Sequence, residues 1–268
     1  MATGWERGNR THFDEIVVNY DRIRPEWPDE IFTDIFRYTL PEKGKKALEI
    51  GAGTGKATTS VLDAGYDVTA VEIGSNMTEF LRNRFKAYDK FAVINDSFED
   101  ALLGEDSYDL VYAASAFHWV DAKIGCPKVW RILKNGGTFA LFRFNEISSE
   151  DKELGGEIQR ADEKYLYKTH EKPAKISIEE KISIFRGFGF NDLREYGFSD
   201  VLMNLYDETL IFSADDFLAF LDTMANRRSL PEDDKTALYA AIKEAIAMHG
   251  GYHKLNYIFQ LYMGRKEI

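Results

Sequence analysis

Residues 47–55, which read ALEIGAGTG, constrain the fold of this chain more than any other segment. Ala47, Leu48 and Ile50 are apolar and predict a short buried strand, and residues 56–64 predict a helix behind the turn. Glycines at i, i+2 and i+4 leave the backbone bare, so a ligand can approach it and reach the free N–H groups of the helix N-terminus. The segment therefore predicts a strand–turn–helix unit with a ligand at the turn.

The spacing of these glycines distinguishes between two kinds of nucleotide site. The dinucleotide fingerprint is G-x-G-x-x-G, and the position that needs its third glycine carries Lys56. This mismatch argues against a nicotinamide cofactor. The pattern E-x-G-x-G-x-G, from Glu49 to Gly55, instead resembles motif I of the class I S-adenosylmethionine (SAM) methyltransferases. An ordinary glycine-rich turn is the alternative, and the segments that follow argue against it.

A carboxylate closes the next predicted strand. Residues 67–72 read DVTAVE, a second buried strand that ends on Glu72. In doubly wound nucleotide folds, an acidic residue about 20 positions after the glycine turn accepts hydrogen bonds from the ribose hydroxyls. A lone Glu at a strand end is usually just solvated, but Glu72 has the right spacing and type. We therefore predict that Glu72 binds ribose.

The third strand candidate, residues 91–98, ends in Asp-Ser-Phe. This turn resembles the adenine site of the family. The resemblance implies that Asp96 accepts a hydrogen bond from the exocyclic amine and that Ser97 and Phe98 flank the ring. Taken by itself, Asp96 is better explained as a helix N-cap. In series with the two preceding sites, adenine contact is the favoured interpretation.

Two more segments complete the series. Residues 108–114 predict a fourth strand, and the reacting methyl group should lie just after it, because ligands gather at the carboxyl ends of parallel strands. Residues 133–142 look like the family's hairpin-like start of strand five, where Gly136 and Gly137 would give the turn its positive φ. The Phe-His-Trp sequence at residues 117–119 narrows the resemblance to a subgroup that includes trans-aconitate-methyltransferase-like proteins.

Two distant segments extend this resemblance. Residues 20–28, YDRIRPEWP, look like the subgroup's Y-x-x-x-R-P-x-[YW]-P motif. The His-Gly-Gly at residues 249–251, followed by an apolar strand, also matches the subgroup. The resemblance is strong over residues 13–144 and weaker over residues 145–245.

The resemblance implies SAM as the cofactor, S-adenosylhomocysteine as the product and no metal. As the titratable group near the expected transfer point, His118 is the candidate catalytic residue, and we expect Phe117, His118 and Trp119 to bind the substrate. The expected cofactor-binding residues are Tyr20, Arg24, Glu49, Gly51, Ala52, Gly53, Gly55, Glu72, Ile73, Met77, Asp96, Ser97, Phe98, Ala113 and Ser115.

His118 is a candidate general base only if the acceptor must lose a proton, because a carboxylate acceptor is already ionised. Its unperturbed pKa would be about 6.5. A His at a strand-to-helix junction often just caps or orients the loop, and this alternative stays open. Arg24 is a candidate for the methionine carboxylate of the cofactor, since Arg binds carboxylates bidentately. Arg227 and Arg228 could contact an acidic substrate, although most Arg pairs are solvated.

Composition limits the class of protein. Of the 268 residues 44% are apolar, which is ample for a buried core, and the net charge is −11. This charge and the lack of a basic run argue against a nucleic-acid partner. We find no apolar stretch of about 18 residues and no signal-peptide core. The single cysteine, Cys126, argues against disulfides and a Cys-based metal cluster. We expect a soluble, cytoplasmic protein with a small-molecule substrate and no membrane partner, as a monomer or homodimer.

Strand-like and helix-like segments alternate through residue 144, which predicts a parallel sheet covered by helices. The resemblance implies a Rossmann-like α/β class I methyltransferase fold. Its sheet would be seven-stranded and mostly parallel, with helices on both faces and a helical cap inserted after strand five. We expect an N-terminal helical segment plus SAM-binding core in residues 1–145 and a helical cap insertion in residues 146–196. Residues 197–268 would hold the remaining strands and a second cap insertion at about 213–249.

Smaller patterns complete the expected organisation. We expect helices at residues 28–40, 178–188 and 231–248, and one that begins with Ser213 as N-cap and Asp216 in the N3 position. A sixth strand is expected near residues 198–205 and a final one at residues 255–263. In the family the final strand pairs antiparallel at the sheet edge, next to strand six.

Three functions remain open from the sequence. The leading one is a SAM-dependent methyltransferase that acts by in-line displacement on a small molecule, for which a carboxylic acid is one candidate. The second is a SAM-binding protein without transferase activity, such as a sensor or partner subunit. The third, a nicotinamide-dependent oxidoreductase, conflicts with Lys56 and with the late start of the first strand.

Overall fold

The computed structural model describes residues 14–174, 176–181 and 193–267, and seven strands of this part of the chain form one sheet. The order of the strands across the sheet is β3-β2-β1-β4-β5-β7-β6. The strands are β1 (Lys46–Ile50), β2 (Asp67–Glu72), β3 (Phe91–Asn95), β4 (Tyr108–Ala114), β5 (Leu133–Ser149), β6 (Phe198–Ser213) and β7 (Tyr252–Lys266).

The sheet is mostly parallel. Strands β1 to β5 pair in parallel with one another, whereas β7 is antiparallel to both β5 and β6. The chain order reverses at β1, which lies between β2 and β4. A crevice opens at the carboxyl ends of the strands at such a switch point, and ligands bind there. The predicted fold class is confirmed, but the final strand is not at the edge. It lies between β5 and β6, and β6 forms the edge.

Helices cover both faces of the sheet. Along β4, Leu110 and Tyr112 belong to one buried apolar cluster, and Val111 and Ala113 belong to another. Successive side chains of a strand point to opposite faces, so this sheet is buried on both sides. The α-helices of the described residues are α1 (Val17–Ile23), α2 (Asp29–Thr39), α3 (Thr58–Asp63), α4 (Ser75–Arg84), α5 (Ala122–Ile132), α6 (Lys152–Tyr165), α7 (Ala214–Leu221), α8 (Ala225–Arg228) and α9 (Glu232–Met248).

The start of β5 differs from the expected pair of positive-φ glycines. Gly136 has a φ of 76°, but Gly137 is not in the left-handed region. A side chain is excluded at Gly137 for another reason, since a Cβ there would lie 2.8 Å from the carbonyl oxygen of Lys134. The register with β4 shifts at this point, so the glycines form an irregularity at the strand's start.

The smaller predicted elements are largely present. Ser213 caps α7, because its Oγ accepts from the backbone N–H of Asp216 at 3.1 Å and donates to the Asp216 carboxylate at 2.8 Å. Strands β6 and β7 are longer than expected, because they pair with each other along almost their whole length. The predicted helix at residues 178–188 falls mainly outside the described residues. The division at residues 146 and 196 stays a prediction.

The single cysteine of the chain, Cys126, lies in the core. It is fully buried, which raises the pKa of its thiol to about 12, so this residue is a small apolar core residue and not a nucleophile. In the described part of the chain, every helix is too short or too polar to cross a membrane.

Candidate functional site

A cleft of about 710 Å³ opens at the carboxyl ends of β1 to β4. Strand β5, the α1 region and the segment after α7 form its other walls. Most of the residues that the sequence predicts for the cofactor and substrate line it, namely Tyr20, Arg24, Glu49, Gly51, Ala52, Gly53, Glu72, Ile73, Met77, Asp96, Ser97, Phe98, Ser115, His118 and Trp119.

Three predicted site residues do not line the cleft, and their predicted roles stay predictions. Phe117 is buried beneath the cleft with its ring 5.1 Å from that of Phe139, so it supports the loop from below and does not line the cleft. Ala113 is also a core residue, because the alternation along β4 turns it away from the cleft. At Gly55, a Cβ would lie 2.5 Å from the Phe85 ring, so this glycine allows α4 to pack against the turn.

The first two glycines of the turn, Gly51 and Gly53, are required for different structural reasons. Gly51 and Gly53 have φ angles of 65° and 57°, in the region that side chains disfavour. A Cβ at Gly51 would lie 2.6 Å from the Cβ of Ala116, so this glycine lets the turn pack against the loop after β4. At Gly53 the nearest atom would be Cε1 of Tyr20, at 4.0 Å. The space beside Gly53 is therefore open cleft.

Glu72 joins two turns at the floor of the cleft. Its Oε2 accepts from the backbone N–H of Gly53 at 2.8 Å, and its Oε1 accepts from the N–H of Gly74 at 2.9 Å. Burial raises the pKa of the Glu72 carboxyl, and the bonds from Gly74 and Gly53 oppose that shift. Each carboxylate oxygen can accept a second bond, so Glu72 can hold the turn and still meet hydroxyl donors.

Glu49 is the most buried acid of the cleft and is 1% exposed. Its carboxylate accepts from the hydroxyl of Thr58 and from that of Tyr112 at 2.9 Å. Burial raises the pKa of Glu49 to about 7, and the two hydroxyl bonds limit the shift. A cation bound beside Glu49 would favour its ionised form.

The loop after β3 forms a folded turn beside the cleft. Ser97, not Asp96, provides the cap-like bond, since its Oγ accepts from the N–H of Asp100 at 3.1 Å. The Asp96 carboxylate accepts from the neighbouring N–H of Ser97 at 2.8 Å, and it lines the cleft. Lys128 supports this turn from α5, with its ammonium 5.2 Å from the centre of the Phe98 ring. The geometry leaves Asp96 well placed to accept a bond from a ligand.

His118 lies in a short 3-10 turn, Phe117–Trp119, with its ring 5.1 Å from that of Trp119. Its imidazole is open to the cleft, but the surrounding protein and the charges of Arg143 and Arg24 disfavour a proton. Desolvation by the surrounding protein atoms, and then these two charges, lower the pKa of His118 to about 4, although the side chain is exposed at the cleft. The unperturbed value near 6.5 therefore does not apply, and His118 is neutral at pH 7.

Arg24 closes the cleft from the end of α1. Its Nη2 donates to the carbonyl of Thr223 at 2.9 Å, and its guanidinium lies 5.0 Å from the Tyr20 ring centre and 5.3 Å from that of Phe220. Its Nε is buried and has no hydrogen-bond partner among the described residues. Arg24 thus joins the N-terminal helix to the segment after α7, and its role toward a carboxylate stays a prediction.

Arg227 and Arg228, which the sequence offered as possible contacts for an acidic substrate, both bond to acids of the chain itself. Arg227 is buried and donates to both oxygens of Asp162, at 2.5 Å and 2.8 Å, which ties α8 to α6. Arg228 donates to Glu15 at 2.8 Å. Both guanidinium groups are used in ion pairs of the protein's own chain.

A polar cluster on β5 was not predicted from the sequence. Arg143 and Asn145 line the cleft, and both donate to the Oε1 of Gln260 on β7, at 2.7 Å and 3.1 Å. The sequence contains a pattern that could have indicated these residues, because Arg143 and Asn145 interrupt an apolar run at the carboxyl end of a predicted parallel strand. The cluster adds a second guanidinium near His118.

The N-terminal helix lies across the cleft between its two walls. Asp14, just before α1, accepts from the backbone N–H of Met77 at 2.8 Å. Arg84 on α4 pairs with Asp21 at 2.7 Å, and Arg22 pairs with Asp216 on α7 at 2.7 Å. The helix therefore contacts both the α4 side and the α7 side of the cleft.

Comparison with known proteins identifies the central part of the chain. Residues 48–141 match the family described as "Methyltransferase domain". The methyltransferase likeness by family model is therefore limited to this part of the chain. An uncharacterized methyltransferase of Mycobacterium bovis is 36% identical over 143 residues, which cover 53% of this chain and 54% of that protein. The chain thus spans about half the length of this curated relative.

Solved structures agree with the class I methyltransferase fold. A putative type II methyltransferase from Anaeromyxobacter dehalogenans has a TM-score of 0.62 and 21% identity, over 91% of this chain and 99% of that one. Phosphoethanolamine N-methyltransferase 2 of Haemonchus contortus, in complex with phosphomonomethylethanolamine and S-adenosylhomocysteine, has a TM-score of 0.54 and 15% identity. That match covers 97% of this chain and 60% of the Haemonchus chain. These likenesses concern the fold, and the trans-aconitate subgroup stays a prediction.

Proposed function

We propose that this protein transfers a methyl group from SAM to a small acidic molecule, with a carboxylate oxygen as the acceptor. The observation that carries the proposal is that one cleft holds both acidic and cationic groups. Glu49, Glu72 and Asp96 lie at the ends of three successive strands, whereas the charges of Arg24 and Arg143 act on His118 in the same cleft. The methyltransferase domain supplies the reaction class.

The acidic side fits the donor groups of SAM. We assign Glu49 to the ammonium of the methionine portion, Glu72 to the ribose hydroxyls and Asp96 to the adenine amine. The space beside Gly53, where a Cβ would meet only Tyr20 at 4.0 Å, admits a ligand against the backbone. The cleft volume of about 710 Å³ lies within the usual range for small-molecule sites, about 300–1,000 Å³. The residues present therefore suit this cofactor.

The cationic side favours an anionic acceptor. The chain has a net charge of −11, so two guanidinium groups facing one imidazole form a local exception to its overall charge. Guanidinium groups bind carboxylates through paired hydrogen bonds. We propose that Arg143 holds the acceptor carboxylate, and that Arg24 contributes to the same positive field. The carboxylic-acid class also agrees with the trans-aconitate-like sequence resemblance.

The chemistry requires little from the protein besides alignment. When bound, SAM supplies a methyl group on a sulfonium, and its transfer to a carboxylate oxygen forms an ester and leaves a neutral thioether. A carboxylate needs no base, so His118, which is neutral at pH 7, would contact the acceptor by a hydrogen bond. Alignment of the reacting groups can supply roughly 7–11 kcal/mol of the barrier.

Two measurements test this function. Calorimetry with SAM, S-adenosylhomocysteine and NADH should give heat with the two SAM compounds; binding of NADH alone would reject the assignment. Incubation with radiolabelled SAM and separate sets of small carboxylic acids, phenols and quinone precursors should then give methyl esters, identified by mass. SAM binding without transfer to any acceptor would favour a SAM-binding protein without activity. Transfer to phenols only would reject the acidic acceptor.

A further inference from the structure

Gln260 is a polar residue within the apolar middle part of β7, residues 257–264. It lies near the middle of β7, is 0% exposed, and pairs by strand register with Arg143 on β5. Its neighbours Phe259 and Leu261 are buried apolar residues. A buried amide in such a place calls for a physical explanation.

Stability does not supply that explanation. The Nε2 group of Gln260 is buried and has no hydrogen-bond partner among the described residues. A buried donor without a partner costs stability, and a leucine of similar size would avoid that cost. The side chain is therefore not an optimal choice for packing.

The carbonyl end of the Gln260 side chain gives a better explanation for a polar residue at this position. The Oε1 of Gln260 accepts from the Nε of Arg143 at 2.7 Å and from the amide of Asn145 at 3.1 Å. Both donors belong to side chains that line the cleft. The bond from Arg143 is charge-assisted, and because a guanidinium is planar, a bond at Nε restrains the orientation of the whole group.

We infer that Gln260 is a positioning residue that fixes the Arg143 guanidinium at the acceptor side of the cleft and thereby sets the affinity for acidic substrates. It acts through Arg143 and touches neither cofactor nor acceptor. The effect on substrates rests on the proposed function. The effect on Arg143 does not, and it can be measured without turnover.

The first test measures the pKa of His118, which the charges of Arg143 and Arg24 lower. Its pKa is measured by NMR titration in the wild type, Gln260→Leu, Arg143→Met and the double variant, with His118→Gln for assignment. We expect the pKa to rise in both single variants, because the guanidinium is released or removed, and to rise no further in the double variant. Ile258→Val, another buried change on β7, should leave it unchanged.

The second test uses an acid that the radiolabel screen identifies. Gln260→Leu should raise its KM by on the order of ten-fold to a hundred-fold, as expected when a charge-assisted contact is weakened. The kcat and the SAM dissociation constant should change little, and a modest fall in melting temperature is expected, because the donors of Arg143 and Asn145 lose their acceptor. In the Arg143→Met background the effect of Gln260→Leu on KM should vanish, because the two residues act as one unit.

The outcomes separate the inference from the proposed function. An unchanged His118 pKa in Gln260→Leu, together with a raised one in Arg143→Met, would overturn the inference. So would additive KM effects, or an Arg143→Met variant with normal pKa and normal KM. If no acid is methylated by the wild type, the proposed function fails, and the titration still decides whether Gln260 holds Arg143.

Discussion

The carboxylate of Glu72 accepts the backbone N–H of Gly53 at 2.8 Å, so the acid at the end of β2 holds the glycine turn that follows β1. Its second oxygen accepts from Gly74 at 2.9 Å, at the start of α4. One side chain thus fixes two turns that flank the cleft. A residue that the sequence suggested only for ligand binding also has a role in the fold.

Glu72→Ala should therefore have two effects. We expect SAM binding to weaken by about 1–3 kcal/mol, and the ligand-free protein to lose stability, because two buried N–H groups lose their acceptor. Glu72→Gln keeps one acceptor oxygen and should lose less of each. Calorimetry and thermal unfolding of the three proteins measure the two effects. Normal SAM affinity in a folded Glu72→Ala protein would show that the ribose binds elsewhere.

Gly53→Ala and Gly55→Ala form a matched pair with opposite expectations. Both positions have positive φ, so each substitution carries a backbone cost of about 1–2 kcal/mol. At Gly53 the new methyl group enters the open cleft, and the loss should appear in SAM affinity. At Gly55 it meets the Phe85 ring at 2.5 Å, and the loss should appear in the melting temperature. Equal effects of both variants on SAM affinity would contradict this division.

Local patterns were sufficient to predict the acidic side of the cleft. Glu49, Glu72 and Asp96 each follow from a short apolar strand and its carboxyl end, and parallel strands bring such ends together. The seven-stranded fold followed from the family resemblance. These features depend on residues that are close in sequence or on a topology that the resemblance already specified.

The features that could not be predicted from the sequence depend on contacts between residues far apart in the chain. Arg143 meets Gln260 across a separation of 117 residues, through the register of β5 and β7. The Arg227–Asp162 pair likewise depends on how α8 packs against α6. In the Phe-His-Trp turn, only the folded backbone decides that His118 faces the cleft and that Phe117 faces the core.

The Arg227–Asp162 pair should contribute to stability and not to binding. The two side chains are almost fully buried, so Arg227→Met leaves an uncompensated carboxylate inside the protein. We expect a loss of about 3–5 kcal/mol in the free energy of unfolding, measured by denaturant titration. The double variant Arg227→Met with Asp162→Leu should recover much of this loss. A large change in acceptor KM without loss of stability would restore the substrate role suggested by the sequence.

Glu49 should make SAM affinity depend on pH. Its folded pKa is about 7, above the ordinary 4.5, so the ligand-free fold favours the protonated acid. The stability that this provides is present at low pH and is lost as the pH rises from 4.5 to about 7. A cationic ligand needs the carboxylate, so its affinity should rise between about pH 6 and 7.5, below the α-amino pKa near 7.7–8.0. Calorimetry of the wild type and Glu49→Gln over this range tests the prediction, and the variant should bind more weakly with little pH dependence.

His118 should contribute to acceptor affinity more than to the rate. Because its pKa is about 4, the imidazole stays neutral from pH 6 to 8, and His118 itself should give no step in the rate over this range. With a carboxylate acceptor, His118→Ala should raise KM and leave kcat within about ten-fold, since no proton is removed. A general base would instead contribute roughly 10²–10⁴-fold to kcat. Steady-state kinetics of the variant and a pH profile of the wild type separate the two cases. A fall in kcat of that size, with KM unchanged, would establish His118 as a base and exclude a carboxylate acceptor.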